Sequence, residues 1–496
     1  MSDAAVSEAR PAGTVGLAAA WAQALPELSV PVRLVSPRAP RLLAADEPLL
    51  RDLGFDVARV ASSDGGEFFA GAYAARAVAQ VYAGHQWGSY RPILGDGRAA
   101  LLGEARDARG RLRDIHLKGI GPTPMSRVDG FATVGPMLRE FLVSAAMHAL
   151  GVPTTRALAV IATGAPRVPR VGEDDILPGA VLARTAASHA RFGSFEYAHH
   201  HPDPGLLRRL ADHVIDRHYS SARSAAEPYR ALLEAVVDAV ASVTALWMRR
   251  GFVHGVLSTD NVLVSAETID YGPCAFVDEY DPQVVFSTLD QHGRYAHDRQ
   301  PAIMAWNLAR LGEALAPLLA SSPSAGEATA AEIVATFDAR YRAHRRIGFR
   351  AQLGLDDRVP AREIDEVAEA AFELIERHRV DYTGFWRDLA AAAEGEERAV
   401  RARFLGEVPD LDAWLVRWRS HAPSGAALRR ANPIYIPRNH LVDEALDAAV
   451  GGDLVPFDRL LALVRDPFTR RAGAEYRRYA WPAPAGHPPH RTFCGT

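Results

Sequence analysis

Lysine is almost missing from this chain. Of its 496 residues, 56 are Lys or Arg, and one of these, Lys118, is a lysine. Arginine replaces lysine freely on a solvated surface. It does not do so where a compact ammonium must fit between anions, because the guanidinium is planar, wider and forked. Lys118 is therefore either a chance remnant on the surface or a residue whose ammonium is needed.

Cysteine and net positive charge are also scarce. The two cysteines, Cys274 and Cys494, make no disulfide framework, and a formal net charge of −4 leaves no basic excess for a nucleic-acid backbone. The N-terminus lacks a basic start followed by an apolar run. The most apolar helical stretch contains Glu234 and Asp238, which argues against a membrane span. We expect a cytoplasmic protein that binds neither nucleic acid nor membrane.

The residues that are present indicate a globular chain of mixed structure. Hydrophobic residues make up 48% and charged residues 23%, which is typical of soluble proteins with an ample core. Glycine and short apolar runs fill the first third, and long Ala- and Leu-rich helical periods follow. This order predicts an α+β fold with a small β-rich N-lobe and a large helical C-lobe. The predicted boundaries are 1–165, 166–480 and an extended tail, 481–496, which contains Cys494.

Lys118 lies at the end of a predicted hairpin. The segment AALLGEARDARGRLRDIHLKG reads as two strands joined by a turn at Gly110. Alternation places Ile115 and Leu117 on one face and His116 and Lys118 on the other. A helical period resumes at Met137 and carries Glu140, 22 residues after Lys118.

A glycine-containing loop precedes the hairpin. In Leu94-Gly95-Asp96-Gly97-Arg98 the two glycines allow backbone amides to approach an anion, and Arg98 is placed to pair with it. Taken alone, the segment is more often a tight turn. Followed by the Lys118 strand and the Glu140 helix, it has the order of a kinase small lobe. There, a strand lysine holds phosphates and a helix glutamate holds the lysine.

The segment FVHGVLSTDN resembles a kinase catalytic loop. Such a loop has a His, a base Asp two residues later and a metal-binding Asn seven residues after the His. Asn261 has the right spacing from His254, but Val256 occupies the base position. Downstream, TIDYG places Asp270 where kinases have the metal-binding Asp of Asp-Phe-Gly. Asp260, Asn261 and Asp270 offer the oxygen ligands that Mg²⁺ prefers, although separate structural turn residues are the alternative.

At this point the chain resembles a known family from about Tyr82 to its C-terminus. It is similar to the selenoprotein O family of kinase-like protein adenylyltransferases, whose members have a pseudokinase-like active site. The similar blocks are YAGHQWGSYRPILGDGRAALLGE, LKGIGPTPMSR, LREFLVSAAMHALGVPTTRAL, GAVLARTAASHARFGSFE, HGVLSTDNV, TIDYGP, QHGRYAHDRQP and NPIYIPRNHLVDEA.

The resemblance implies a two-lobed protein-kinase-like fold that binds ATP in reversed orientation and transfers AMP to Ser, Thr or Tyr hydroxyls of proteins. Asp260 would be the proton acceptor, with Asn261 and Asp270 as ligands of Mg²⁺, or Mn²⁺ in its place. Glu140 would support the lysine. The implied nucleotide-binding residues are Gly95, Gly97, Arg98, Lys118, Asp129, Gly130, Arg184, Arg191 and Asp270. Arg184 and Arg191 lie seven residues apart, on one face if their segment is helical.

The chain departs from the family pattern in places. The segment holding Asp129 and Gly130 is one residue shorter and lacks an arginine, and Ser258 stands where asparagine is commoner. The family places a cysteine or selenocysteine at Cys494, but its redox partner aligns with Phe286. We hypothesise that oxidation links Cys494 to Cys274, the alternative being a reduced core thiol at Cys274.

Two other functions are consistent with these residues. One is a kinase that transfers the γ-phosphate, and the other is an inactive nucleotide-binding module that acts through its conformation. The run His199-His200-His201 is expected in a solvated loop rather than at a metal, since adjacent histidines do not converge on one ion. The acceptor proteins, the preference for ATP over UTP and the oligomeric state stay open.

Overall fold

The computed structural model describes residues 15–62, 65–167 and 176–492. Its strands are β1 (Ser29–Pro31), β2 (Arg41–Ala45), β3 (Val78–Gln80), β4 (Gly84–Gln86), β5 (Ser89–Arg91), β6 (Ala99–Arg106), β7 (Leu112–Lys118), β8 (Ala132–Thr133), β9 (Arg156–Arg167), β10 (Leu177–Ala186), β11 (Phe252–Val253) and β12 (Ala275–Phe276). Its helices are α1 (Ala20–Ala24), α2 (Glu47–Asp52), α3 (Val57–Ala61), α4 (Gly65–Tyr73), α5 (Val134–Ala149), α6 (Phe192–His200), α7 (Gly205–His218), α8 (Pro228–Arg250), α9 (Gln300–Leu319), α10 (Pro323–Ala335), α11 (Phe337–Gln352), α12 (Ala361–Arg377), α13 (Tyr382–Ala392), α14 (Arg398–Arg401), α15 (Pro409–Arg419), α16 (Gly425–Ala431), α17 (Asn439–Val450) and α18 (Val455–Val464).

The chain divides into two compact units. Unit 1 comprises 1–81, 95–141 and 156–189, and unit 2 comprises 82–94, 142–155 and 190–496. The predicted combination of a β-sheet with many helices is confirmed. The boundaries predicted at residues 165 and 480 stay predictions.

Unit 1 is built on an antiparallel sheet. Among the described residues its strand order is β1-β3-β6-β7-β10-β9-β2, with β8 paired to β10. The predicted hairpin is confirmed, because β6 and β7 pair from Ala99 opposite Lys118 to Arg106 opposite Leu112. Gly110 lies in the connecting turn with φ of 76°, a conformation that glycine adopts without strain.

The two faces of β7 differ as the alternation predicts. Ile115 and Leu117 are fully buried in the apolar core of unit 1, together with Phe68 and Phe69 of α4. His116 lies on the other face, where its ring nitrogens contact polar groups. One strand therefore contributes both to the core and to a buried polar cluster.

Unit 2 is mainly helical, and its longest helix is α8. This helix ends at Gly251, whose left-handed backbone (φ of 62°) lets its N–H bond to the carbonyls of the last turn. In the described part of the chain α8 is the one helix long and apolar enough to cross a membrane. It contacts α9 and α11, and Val236, Val237 and Val240 are buried, as in the core helix of a globular protein.

Some predicted elements were wrong. The helical period of the sequence predicts one helix over 330–345, and the Ser, Pro and Gly residues predict a link over 321–326. The structure has two helices, α10 and α11, across the first segment, and α10 begins within the second. Ser322 accepts a hydrogen bond from the Ala325 N–H (3.3 Å), and Pro323 occupies the first turn, so this Ser-Pro pair starts a helix. His199 and His200 lie in the last turn of α6 rather than in a loop.

Candidate active site

Lys118 is held by a buried ion pair in unit 1. Its Nζ donates to Glu140 Oε1 on α5, and both side chains are more than 90% buried. A buried charge that loses its partner is costly, so each of these groups needs the other. The structure thus brings the lone lysine and the predicted supporting glutamate together.

Arg184 joins this pair from the neighbouring strand. It lies on β10 directly opposite His116 of β7, and its Nη1 is 3.6 Å from Glu140 Oε2. The expectation that Arg184 and Arg191 share a helical face is wrong, because Arg184 is in a strand and Arg191 is the N-cap residue of α6. Seven-residue spacing carries no meaning across a change of secondary structure.

The glycine loop is packed closely against residues 123–126 of unit 1. A Cβ at Gly95 would lie 2.8 Å from both Gln80 O and Met125 Cγ, and one at Gly97 would lie 3.1 Å from Met125 O. These glycines are therefore required by packing as well as by any approach to an anion. In the described part of the chain, no carboxylate pairs with the half-buried side chain of Arg98. Its guanidinium is placed to receive an anion.

Asp129 and Gly130 close the loop that follows β7. Asp129 Oδ1 accepts from Phe131 N (3.1 Å), and Gly130 O accepts from Gly121 N (3.0 Å). Gly130 has φ of 75°, and a Cβ there would lie 2.3 Å from Gly121 C. Asp129 is exposed, whereas Gly130 is fixed by backbone contacts. Their role at a nucleotide stays a prediction.

Asp260 lies in unit 2 on a short 3₁₀ turn, Thr259–Asn261, and is 6% exposed. Its two carboxylate oxygens each accept one hydrogen bond, from Ser258 Oγ at 2.6 Å and from Gln86 Nε2 at 2.8 Å. A Cβ at Gly84, on the same hairpin as Gln86, would lie 2.9 Å from Asp260 Cβ. The carboxylate is therefore fixed in one orientation.

Arg191 supports the backbone of the same turn. Its Nη1 donates to Asp260 O (2.5 Å), and its guanidinium stacks 4.5 Å from the centre of the Tyr82 ring. Both contacts are within unit 2. The side chain is 5% exposed, so its position is closely determined.

Asn261 and Asp270 offer oxygen atoms on separate turns of unit 2. Asn261 Nδ2 donates to Val256 O (3.0 Å), which leaves the amide oxygen as its potential metal ligand. Asp270 is half-buried and has φ of 66°, a left-handed conformation that is uncommon outside glycine and frequent at functional sites. The sequence predicts that segments 262–264 and 268–269 pair as two strands, and this prediction is wrong. Instead, Leu263 forms an isolated bridge with Arg191 and Thr268 forms one with Thr154.

A neutral acid–histidine pair adjoins the Asp260 turn. Burial, opposed by a hydrogen bond from Thr259 and assisted by the charge of Asp260, raises the pKa of Glu196 to about 7. Burial also lowers the pKa of His85, whose Nδ1 is 3.2 Å from the Glu196 carboxyl. Burial therefore favours the uncharged form of each group, in which the Glu196 carboxyl can donate a hydrogen bond to His85 Nδ1.

The raised pKa of Glu196 makes the stability of the folded protein depend on pH. The pKa of Glu196 is near 4.5 in the unfolded chain and about 7 in the folded protein, so its stabilising contribution is complete below pH 4.5 and is lost as pH rises through 7. The shift corresponds to on the order of 3 kcal/mol. Glu196→Gln keeps the hydrogen bonds without titrating. We expect its Tm advantage over the wild type to grow between pH 5 and pH 8; parallel Tm profiles would contradict the assignment.

The C-terminal segment lies along the chain that follows Asp270. Thr492 Oγ1 donates to Pro273 O (3.0 Å), and the Thr492 backbone bonds to Phe286 O and Thr288 N. Cys274 is 1% exposed, and its thiol donates to Tyr271 O (3.2 Å). Cys494 lies outside the described residues, so its link to Cys274 stays a hypothesis.

Sequence reasoning missed two kinds of residue. Gln86 and Ser258 donate hydrogen bonds to Asp260. His116 bonds to Arg184 and to Asp96, and Asp96 lies in the glycine loop. Gln86 lies in the YAGHQWG block, but nothing in the sequence indicates what its side chain contacts. Ser258 lies two residues before Asp260, and this proximity could have indicated a contact between the two side chains.

Comparison with known proteins shows the family of this chain. The model of the family "Protein adenylyltransferase SelO" matches residues 15–465. "Protein nucleotidyltransferase YdiU" of Mycolicibacterium paratuberculosis is 51% identical over 494 residues, covering 98% of this chain and 99% of that protein. The protein of the same name from Pseudarthrobacter chlorophenolicus is 50% identical and covers 97% and 99%. That from Cereibacter sphaeroides is 51% identical and covers 92% and 95%. This chain therefore belongs to the SelO family of protein adenylyltransferases.

Proposed function

We propose that this protein transfers AMP from ATP to Ser, Thr or Tyr hydroxyl groups of proteins, with Asp260 as the proton acceptor. The acceptor oxygen attacks the α-phosphorus, its proton passes to the Asp260 carboxylate, and the bond to pyrophosphate breaks. General-base catalysis of this kind contributes roughly 10²–10⁴-fold to a rate. Family membership makes the protein a nucleotidyltransferase that uses ATP; the role of each residue is the proposal.

The observation that carries this role is the environment of Asp260. Ser258 and Gln86 each donate to one carboxylate oxygen, and Arg191 anchors the backbone carbonyl. A base must be held within hydrogen-bond reach of the proton that it removes. Two donors from different parts of the chain fix that orientation more firmly than a surface carboxylate would be fixed.

The cationic residues of unit 1 are proposed to bind the phosphates. Lys118 is kept in place by Glu140, Arg184 lies beside the same glutamate, and Arg98 has no carboxylate partner among the described residues. Fixed cations stabilise negative charge on a leaving pyrophosphate more effectively than mobile surface cations do. Gly95, Gly97, Asp129 and Gly130 are proposed as further nucleotide contacts, as is Arg191 of unit 2.

Asn261 and Asp270 are proposed as ligands of Mg²⁺, with Mn²⁺ as the alternative. Their amide and carboxylate oxygens suit a hard divalent cation, and the Asn261 hydrogen bond to Val256 uses the amide nitrogen rather than the oxygen. The bound ion would supply charge stabilisation to phosphate oxygens. The chain's own contribution is to hold these two oxygens on ordered turns.

A two-lobed protein-kinase-like fold and a cytoplasmic location belong to the same proposal. The antiparallel sheet of unit 1 with the Lys118–Glu140 pair, and the helices of unit 2 with the Asp260 turn, support the kinase-like fold. No contact with nucleic acid or membrane is proposed.

ATP labelled separately at the α- and γ-phosphates tests the reaction. The protein is incubated with each nucleotide and a heat-treated cell lysate in which endogenous kinases are inactive, and label on protein is measured after removal of free nucleotide. Label from the α-position alone supports AMP transfer. Label from the γ-position would instead indicate a kinase, and label from neither would indicate an inactive nucleotide-binding module.

Substitution of Asp270 tests the metal site. We expect Asp270→Ala to lower AMP transfer by about 10²-fold or more, since removal of one charge-stabilising group from an active site costs this much. Asp270→Asn is the matched variant, because asparagine tolerates the left-handed backbone that alanine disfavours. Loss in both variants, with folded circular dichroism melts, identifies a ligand effect. Full activity of the Asn variant at limiting Mg²⁺ would refute the assignment.

A further inference from the structure

A continuous chain of buried polar contacts runs through unit 1 from the glycine loop to the lone lysine. Asp96 Oδ2 bonds to His116 Nε2 (3.0 Å), and Arg184 Nε donates to His116 Nδ1 (3.2 Å). Arg184 Nη1 approaches Glu140 Oε2, and Glu140 in turn accepts from Lys118. All five side chains are at least 92% buried.

The contacts of His116 determine where its proton lies. A guanidinium can only donate, so the Arg184 contact requires a lone pair on His116 Nδ1. The single ring proton is then on Nε2, where it is donated to the Asp96 carboxylate. His116 is thus neutral in one tautomer, with an acceptor toward the cation and a donor toward the carboxylate.

We propose that His116 is a positioning residue that orients Arg184 for the nucleotide and links it to the glycine loop. This role rests on the proposed function of Arg184 as a phosphate contact. The hydrogen bond at Nε fixes the plane of the guanidinium, and with it the direction of the remaining N–H groups. Asp96 is tied to the same loop by its carbonyl, which accepts from Thr123 Oγ1 (2.7 Å).

The surroundings of His116 make protonation a switch for this contact. The groups that face it are Asp96 from the loop, Arg184 from β10 and His189, whose ring stacks on it at 4.3 Å. Burial, with the charge of Arg184, lowers the pKa of His189 to about 3, despite its bond to Asp114 (3.0 Å). A proton added to His116 Nδ1 would set two N–H groups against each other and displace Arg184.

Two substitutions separate the hydrogen bonds of His116 from its bulk. His116→Phe keeps a ring that stacks on His189 but removes both bonds. His116→Gln keeps an acceptor and a donor and does not titrate. Binding of α,β-methylene-ATP with Mg²⁺ is measured by calorimetry from pH 6 to pH 8. We expect Kd at pH 8 to rise about tenfold or more for Phe, as for a lost bond to a charged group, and about threefold or less for Gln.

The pH profile is the readout that a merely structural histidine would not change. From pH 8 to pH 6 the wild type should lose more affinity than His116→Gln, because only the wild type can take up the proton. Titration of the nucleotide itself is common to both proteins and cancels in the comparison. Equal pH dependence in the two proteins would overturn the proposal, even if His116→Phe fails to fold.

Two controls separate this inference from the proposed function. Asp46→Asn alters another buried polar group of unit 1, whose carboxylate accepts from Arg156 Nη2 (2.7 Å), and we expect its Kd within about twofold of the wild type. If Arg184→Ala binds the nucleotide like the wild type, the proposed role of Arg184 fails. If Arg184→Ala weakens binding and folded His116→Phe does not, only the positioning role of His116 is overturned.

Discussion

Replacing Asp260 by asparagine is expected to lower the rate of AMP transfer by roughly 10²–10⁴-fold, the range of a lost general base. Asparagine has nearly the same shape and still offers one oxygen to Ser258 or Gln86. It cannot accept a proton at neutral pH. The effect should therefore appear in kcat, whereas the Kd for ATP should change little. The measurement is initial-rate transfer of label from α-labelled ATP to lysate proteins, with nucleotide binding measured separately.

Asp290→Asn is the matched control for this experiment. Asp290 is 7% exposed, as buried as Asp260, and its carboxylate accepts from the backbone N–H groups of Arg294 and Tyr295. It belongs to the same unit, and these two hydrogen bonds of its carboxylate do not involve the Asp260 turn. We expect its transfer rate within about threefold of the wild type. Equal losses in both variants, with lowered Tm, would indicate instability rather than chemistry.

The donors to Asp260 show where sequence reasoning reached its limit. Gln86 and Asp260 are 174 residues apart, and no local pattern reports a contact across that distance. The YAGHQWG block marked Gln86 without saying what it touches. By contrast, the TDN turn was found from its distance to His254, which kinase-like loops share. Spacing within one loop is readable, and tertiary pairing between loops is not.

The residues of the candidate site in unit 1 were easier to predict from the sequence. Alternation along β7 placed Lys118 and His116 on the same face, and helical period placed Glu140 on α5. The kinase-like order of these elements then predicted the pair between strand and helix. What failed was the treatment of Arg184 and Arg191 as one helical face. The sequence around them is apolar and alanine-rich, which helices and buried strands share, and β10 is buried from Gly179 to Ala186. The spacing of apolar residues therefore does not distinguish a helix from a buried strand in this segment.

The substitution Lys118→Arg is expected to lower kcat/KM for ATP by about 10–100-fold, although the charge is unchanged. The Lys118 ammonium is 7% exposed and donates to Glu140, which Arg184 already approaches from its other oxygen. A second guanidinium there needs more width than the ammonium it replaces. We expect it to displace Arg184 or to turn away from Glu140. Either movement misplaces a cation meant for phosphate.

A control exchange on the same hairpin distinguishes the expected loss in Lys118→Arg from a general effect of exchanging lysine and arginine. Arg111 lies at the turn before β7, and its side chain is 55% exposed beside Asp107. Arg111→Lys should therefore leave kcat/KM within about twofold of the wild type, because Arg111 contacts Asp107 rather than the Lys118–Glu140 pair and a lysine can keep an ion pair with this buried carboxylate. Lys118→Met removes the charge and should be worse than Lys118→Arg. If the folded Lys118→Arg variant turned over ATP like the wild type, the lone lysine would be a chance remnant rather than a residue whose ammonium is needed.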